Sequence, residues 1–202
     1  RDLPKTDKKV VISVPSGNFG NICAGLVSKK MGLPVNHFIA STNSNDTIPR
    51  YLNSGEYKPK KSKQTISNAM DVSDPSNFIR IQKLFNNDLF GLKKSVSAYS
   101  YSDKQTEKAI REIYKLKNYI IDPHGAIGYL GLKDFINSKT DPENFQGLFL
   151  ETAHPIKFSK TIENIINQKI QIPKEIKNIL KKKKISIPIK DYNQLKSFLI
   201  AK

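Results

Sequence analysis

Val10 to Val14 is a short, almost wholly apolar and β-branched run, stopped by Pro15 and a glycine-containing loop. Such a run is the pattern of a strand buried on both faces. From about Phe19 to Met31 the period lengthens: Ile22 and Leu26 fall on one side, Lys29 and Lys30 on the other, and Gly32 and Pro34 supply a stop. This predicts a helix. Val35 to Ala40 predicts the next strand, so the chain opens with a strand–helix–strand unit. Asn43 to Asp46 offers capping and turn residues ahead of a short helix near Pro49 to Leu52, closed by Asn53-Ser54-Gly55.

From Glu56 to Asn77 the pattern is polar and irregular. A loop of that length inside a compact domain is more often functional than idle. Asp74-Pro75 predicts an N-cap followed by proline at the first helical position, opening a helix whose apolar side is Phe78, Ile79, Ile81, Leu84 and Phe85. Ser102 with Gln105 matches a capping box, ahead of a stripe of Ala109, Ile110, Ile113, Tyr114 and Leu116 on a helix running to about Lys117. A further strand–helix unit is expected from Tyr119 to Ile121 and the helix after Asp122. Phe145 to Glu151 reads as a strand, Thr152 to Pro155 as a loop, Ile156 to Asn167 as helix, and Asp191 to Ala201 as an amphipathic segment. Strands alternating with helices predict an α/β fold with a largely parallel sheet flanked by helices. The expected organisation is an α/β region over 1–167 and a lysine-rich helical tail over 168–202.

Composition narrows the function classes. The formal charge is +16, and only four of the 34 basic residues are arginine. Nucleic-acid binding needs basic residues focused on one face, and arginine is the residue that grips phosphate and guanine with two bonds. Here lysines are spread along the chain, so a solvated basic surface is the expectation. No apolar run approaches the roughly 20 residues of a membrane-spanning helix. The single cysteine, Cys23, excludes an internal disulfide and fits a reducing, cytoplasmic setting. It reads as a small buried hydrophobe. His37, His124 and His154 are too scattered for a metal site, so none is expected. His124 and His154, beside predicted helix starts, are read as satisfied structural histidines. The chain begins at Arg1 and its methionines are Met31 and Met70, which leads to the expectation of a piece of a longer protein.

The sharpest chemistry lies in Pro15-Ser16-Gly17-Asn18-Phe19-Gly20-Asn21, between the first strand and the first helix. Unpaired N–H groups and the positive end of the dipole at a helix N-terminus make an anion site, and glycines admit an anion close to the backbone. Ser16, Asn18 and Asn21 can add side-chain donors. The string lacks the lysine of a P-loop and the spacing of a dinucleotide fingerprint, so a small phosphate ester is the better fit.

The same string resembles the pyridoxal-phosphate phosphate loop of the threonine synthase family. Four more strings match the family in order: S-T-N-S-N-D-T-I-P-R (Ser41 to Arg50), T-I-S-N-A-M-D-V-S-D-P-S-N-F (Thr65 to Phe78), D-P-H-G-A-I-G-Y (Asp122 to Tyr129) and E-T-A-H-P-I-K-F (Glu151 to Phe158). The resemblance covers the chain from Val10 to about Ile166. It implies a fold-type II pyridoxal-phosphate enzyme of the tryptophan-synthase β-like group. It also implies phosphate contacts from Gly17, Asn18, Phe19 and Asn21, with Ser16 and Gly20 beside them, and a hydroxyl partner for the pyridine nitrogen at Thr152. The implied substrate is O-phosphohomoserine and the implied product threonine. The family's cofactor-bearing lysine lies in an N-terminal part without counterpart here, so no catalytic residue is assigned and that missing part is the implied partner. Asn45, Asp46, Arg50, Ser67 and Asn68 lie in loops that can face a substrate, and they read equally as capping and surface polarity. Rival readings are another enzyme of the same fold group, such as a threonine dehydratase, and a basic nucleic-acid-binding domain.

Overall fold

The computed structural model describes residues 7–180 and 182–201. The chain divides into two compact units, Arg1–Lys169 and Ile170–Lys202. The first unit is built on a four-stranded, wholly parallel sheet in the order β3-β2-β1-β4, with β1 at Lys9–Pro15, β2 at His37–Thr42, β3 at Val96–Ser100 and β4 at Phe145–Phe149. The register sets Val14 against Ala40 and Pro15 against Ser41 on one side of β1, and Ser13 against Phe149 on the other. The two central strands are β1 and β2. Their near-continuous apolar character follows from burial on both faces.

Successive side chains of these strands serve different layers. Val10, Ile12 and Val14 face a core with Phe38 and Ala40 of β2 and with Ile22, Cys23 and Leu26 of helix α1 (Gly20–Lys30). Full burial of side chains like Ile22 and Leu26 contributes about 1.5–3 kcal/mol each. Helices α2 (Thr47–Ser54), α3 (Phe78–Leu84) and α4 (Leu89–Ser95) complete that layer through Ile48, Leu52, Phe78, Ile81 and Leu92. On the opposite face Val11 and Ile39 meet Phe135, Leu132 and Ile136 of helix α6 (Pro123–Asn137). Outside α6 lie α5 (Asp103–Lys117), closed at its N-terminus by the expected Ser102–Gln105 capping box, and α7 (Ser159–Ile166).

The second unit contains α8 (Lys174–Leu180) and α9 (Tyr192–Ile200), the latter capped by the Asp191 side chain accepting from the Gln194 N–H. Among the described residues no helix is long and apolar enough to cross a membrane.

Two local expectations are corrected, and one strand was not expected. The helix expected at Asp74-Pro75 begins at Phe78, because Asp74 accepts from the Tyr57 hydroxyl at 2.7 Å while Ser76 and Asn77 are bonded to Asn18. Tyr119 to Ile121 is an extended connector and not a strand. In its place β3 joins the sheet, preceded by α4, whose N-cap is Asp88 accepting from the Phe90 N–H at 2.9 Å. As an edge strand with the mixed composition V-S-A-Y-S, β3 lacks the apolar run that marks a central strand.

Helix α6 crosses the sheet at very short range because glycines face it. Ser13 Oγ donates to Gly128 O at 2.7 Å and lies 2.9 Å from Ser41 Oγ, and both serines are fully buried. A Cβ on Gly131 would overlap Ser41 Oγ and approach Ser41 Cβ to 3.1 Å, and one on Gly128 would lie 3.2 Å from Pro15 Cγ. Gly131→Ala should therefore lower stability by about 1–3 kcal/mol as overpacking, read as a drop in the urea midpoint. Adding Ser41→Ala removes the overlapping hydroxyl and should restore part of the loss, a coupling that independent sites do not show.

Candidate functional site

The carboxyl ends of β1 and β4 open onto a cavity of about 250 Å³. Its rim is the segment from Ser16 to Asn21, and Thr152, three residues past the end of β4, closes it from the other strand. All seven residues expected to contact a cofactor therefore line one space, although two distant stretches supply them. Pro15, Ile22, Ala69, Met70, Asn77 and His124 complete the lining.

The loop's shape follows from a few contacts. Ser16 continues the sheet, its N–H donating to Ser41 O at 2.8 Å and its hydroxyl turning back to Val14 O at 2.8 Å. Its side chain thus serves the loop's own fold. Gly17 packs backbone to backbone: a Cβ there would lie 2.8 Å from Met70 Cα and 3.0 Å from Ala69 O. Asn18 Oδ1 accepts from the Ser76 N–H at 2.7 Å and Ser76 Oγ at 3.1 Å, and Asn18 O accepts from Asn77 Nδ2 at 3.0 Å. Phe19 is left-handed, with φ 61° and ψ 17°. A non-glycine residue pays of order 1 kcal/mol or more for that conformation, and its ring is anchored edge-on to Phe78 at 5.7 Å. Phe19 directly precedes helix α1, and a left-handed residue next to a right-handed one turns successive N–H groups to the same side. Among the described residues, the N–H groups of Gly17 to Asn21 have no protein acceptor. Helix α1 starts with no side-chain cap and no acidic residue in its first turn, leaving its positive end to the cavity.

The opposite wall carries titratable chemistry. Asp122, fully buried, caps α6 by accepting from the His124 N–H at 2.9 Å, and its Oδ1 also meets His124 Nδ1 at 2.7 Å. Burial works against its charge, but the His124 side-chain and backbone hydrogen bonds, with the His124 charge, hold its carboxyl below the usual range. Glu151 is exposed as a residue, yet its carboxyl lies where a Cβ on Gly125 would be, 2.6 Å from that position at Cδ. Burial, then the hydrogen bond and charge of Asp122, push Glu151 up to about 8. Two neighbouring carboxyls cannot both ionise cheaply, so Glu151 keeps the proton and Asp122 the charge.

The expectation that His124 is a satisfied structural histidine is corrected in one respect: its Nε2 is buried without a hydrogen-bond partner among the described residues. His154 is different, since its Nδ1 accepts from the Ile156 N–H at 3.1 Å. Asp122 was legible as a helix cap, whereas its contact with Glu151 depends on β4 and α6 meeting. Asn45 and Ser67 are buried in a polar network outside the cavity lining, and Arg50 pairs with Asp46 at 2.9 Å. Asn68 lines a different, open cavity of about 580 Å³. Among the described residues no group of three or more His, Cys, Asp or Glu can hold a metal ion.

Comparison with known proteins shows the family of the chain. The family described as "Threonine synthase, C-terminal" matches residues 125–199. Threonine synthase of Buchnera aphidicola subsp. Acyrthosiphon pisum (strain APS) is 47% identical over 201 residues, 96% of this chain and 44% of the relative. That of Escherichia coli (strain K12) is 45% identical over 175 residues, 86% of this chain and 39% of the relative. The crystal structure of the Escherichia coli threonine synthase superposes with a TM-score of 0.85 at 40% identity, covering 98% of this chain and 45% of that one. The chain belongs to the threonine synthase family. It spans less than half the length of the curated relatives it matches. The crystal structure of PLP-bound threonine synthase from Brucella melitensis has a TM-score of 0.77 at 29% identity, covering 88% of this chain and 42% of that one. Maize serine racemase, at 15% identity and TM-score 0.53, shares the fold. The α/β architecture with a parallel sheet is thus that of threonine synthases and related pyridoxal-phosphate enzymes.

The carboxyl pair gives a pH signature. A carboxyl that holds its proton when folded and releases it when unfolded makes stability fall as pH rises, here from about 4.5 towards about 8. Asp122 acts in the opposite sense, its contribution being lost only as pH falls through a value below its ordinary 3.8. Glu151→Gln should flatten the decline of the urea midpoint between about pH 5 and about pH 8. Equal slopes in wild type and variant would show that Glu151 titrates as an ordinary surface carboxyl.

Proposed function

We propose that this chain supplies the pyridoxal-phosphate cradle of an enzyme that converts O-phosphohomoserine and water to threonine and phosphate. The observation that carries the reading is the convergence of Ser16 to Asn21 with Thr152 on one cavity, in a chain of the threonine synthase family. The residues fit the group. Five consecutive N–H groups without a protein acceptor suit a phosphate dianion, and the close packing of Gly17 on Met70 leaves no room for a side chain. A tetrahedral anion at a helix N-terminus is held by fixed donors and by the dipole together.

Pyridoxal phosphate, when bound, supplies an electron sink for carbanion chemistry next to the substrate's amino group. The chain's own residues bind and tune. The amides from Gly17 to Asn21 take the phosphate, with Phe19 holding them in direction through its buried ring. Thr152 offers a hydroxyl donor to the ring nitrogen, which leaves that nitrogen unprotonated and moderates the sink, whereas a carboxylate would hold it protonated. No lysine lines the cavity among the described residues. Covalent attachment and proton movement at the substrate's carbons are therefore assigned to a lysine in the length of the relatives that this chain does not span.

Phosphate release from O-phosphohomoserine by the full-length enzyme tests the reading, and absence of release would overturn it. Thr152→Ser should keep most of the rate because the donor survives. Thr152→Val should lower it about five- to 150-fold, the equivalent of one buried hydrogen bond of about 1–3 kcal/mol. Wild-type turnover with an unaltered cofactor spectrum in Thr152→Val would reduce Thr152 to a loop residue. Separately, incubation with pyridoxal phosphate and borohydride, followed by peptide mapping, should label no single lysine of residues 1–202 stoichiometrically. Full labelling at one of them would place the covalent attachment here instead.

A further inference from the structure

Resting on the cradle reading, we propose that His124, held by Asp122, is a further ligand-binding residue of this cavity, donating from Nε2 to an oxygen of the bound phosphate ester. His124 lines the cavity, is 3% exposed, and leaves Nε2 buried without a partner. A buried polar atom left unbonded loses its water without gaining a partner, so a persistent one marks a partner that arrives with a ligand. Of the described residues only His124 Nε2 and Gln146 Oε1 are in this state, and Gln146 does not line the cavity.

The ring's other end is fixed. Asp122 Oδ1 lies 2.7 Å from Nδ1, which directs the Nδ1 proton to the carboxylate and leaves Nε2 as the free end. Phe158 packs on the ring at 4.8 Å between centroids. The groups facing this pair are Glu151, which keeps its own proton beside Asp122, and Tyr119, whose hydroxyl is raised chiefly by burial. The negative charge behind the imidazole thus sits on Asp122.

The cavity's composition gives the contact its weight. Among its described lining residues there is no lysine or arginine, and His124 alone carries a side chain able to become a cation. The N–H groups of Gly17 to Asn21 approach an anion as neutral dipoles. A proton on Nε2 would add one charge-assisted bond, with the imidazolium paired to Asp122 on its far side.

The test uses the full-length protein with inorganic phosphate and pyridoxal phosphate as separate probes. Side-chain ¹⁵N spectra of the histidines, with His124 assigned through His124→Gln, should show the Nε2 signal move to a protonated, hydrogen-bonded form on addition of either probe. Affinity for inorganic phosphate should fall about 10- to 100-fold in His124→Phe. His124→Gln, which keeps a donor, should recover part of it. Asp122→Asn keeps a capping oxygen but loses the charge that aims the ring, and should lie between. If wild type binds neither probe and the amides of Gly17 to Asn21 do not respond, the cradle reading fails, and this inference with it. If wild type binds both while His124→Phe binds as tightly and the Nε2 signal stays still, His124 is structural and the cradle stands. Should His124→Phe lose cooperative unfolding, the wild-type Nε2 signal decides alone.

Discussion

The site depends on how the chain leaves β1. Within four residues it turns from a buried parallel strand into a helix, and the backbone at Gly17 lies directly on the backbone at Ala69 and Met70. That contact admits no side chain. It also couples two segments some fifty residues apart, so the direction of the loop's N–H groups is set by the long polar connection between α2 and α3. That connection is itself fixed by part-buried polar bonds: Asp71 accepts from Asn43 Nδ2 at 2.9 Å, Thr65 Oγ1 at 2.7 Å and the Thr65 N–H at 3.0 Å. A satisfied network of this kind specifies one conformation, because losing any member strands the others in a low dielectric. The irregular stretch is thus a rigid buttress for the cradle.

The second wall is set by helix α6. Gly125, Gly128 and Gly131 recur every three residues and lie where Glu151, Pro15 and Ser41 approach. The latter two let the helix settle onto β1 and β2, and Gly125 makes room for the Glu151 carboxyl beside Asp122. Helix position, carboxyl pair and imidazole orientation are therefore one packing solution. A change at Gly125 would act on the Glu151 carboxyl first, since the far end of that side chain is the nearest thing a Cβ would meet.

Much of this was legible in the sequence, for identifiable reasons. Central strands announce themselves by β-branched apolar runs, and the capping box at Ser102 is a local signal with a local cause, so β1, β2 and α5 were predicted close to their observed positions. The shape of the loop between β1 and α1 was readable because strand, glycine loop and helix are consecutive. Tertiary bonds defeated the rest. Asp74 caps nothing because Tyr57 takes its carboxyl, and α3 starts late because Asn18 holds Ser76 and Asn77. Strand β3 was missed because its short mixed run V-S-A-Y-S has no apolar pattern of its own, and what defines it as a strand is its pairing with β2 along Phe38 to Thr42. The orphaned Nε2 of His124 is a property of the folded packing, and a capping aspartate two residues before a histidine does not announce it.

Net charge and local charge act at different ranges here. The chain carries +16 overall, yet the cavity that fits an anion is lined among the described residues by no lysine or arginine. Dispersed surface lysines raise the potential everywhere and are screened within about 8–10 Å at physiological salt. They can draw anions toward the molecule without choosing among them. On the proposed reading, selection falls to donors fixed by backbone geometry, which distinguish a tetrahedral phosphate from a planar carboxylate by direction and not by attraction alone. The strain held at Phe19 and the exclusion of a side chain at Gly17 are what that fixity costs, and both are borne by packing against Phe78 and Met70 rather than by the ligand.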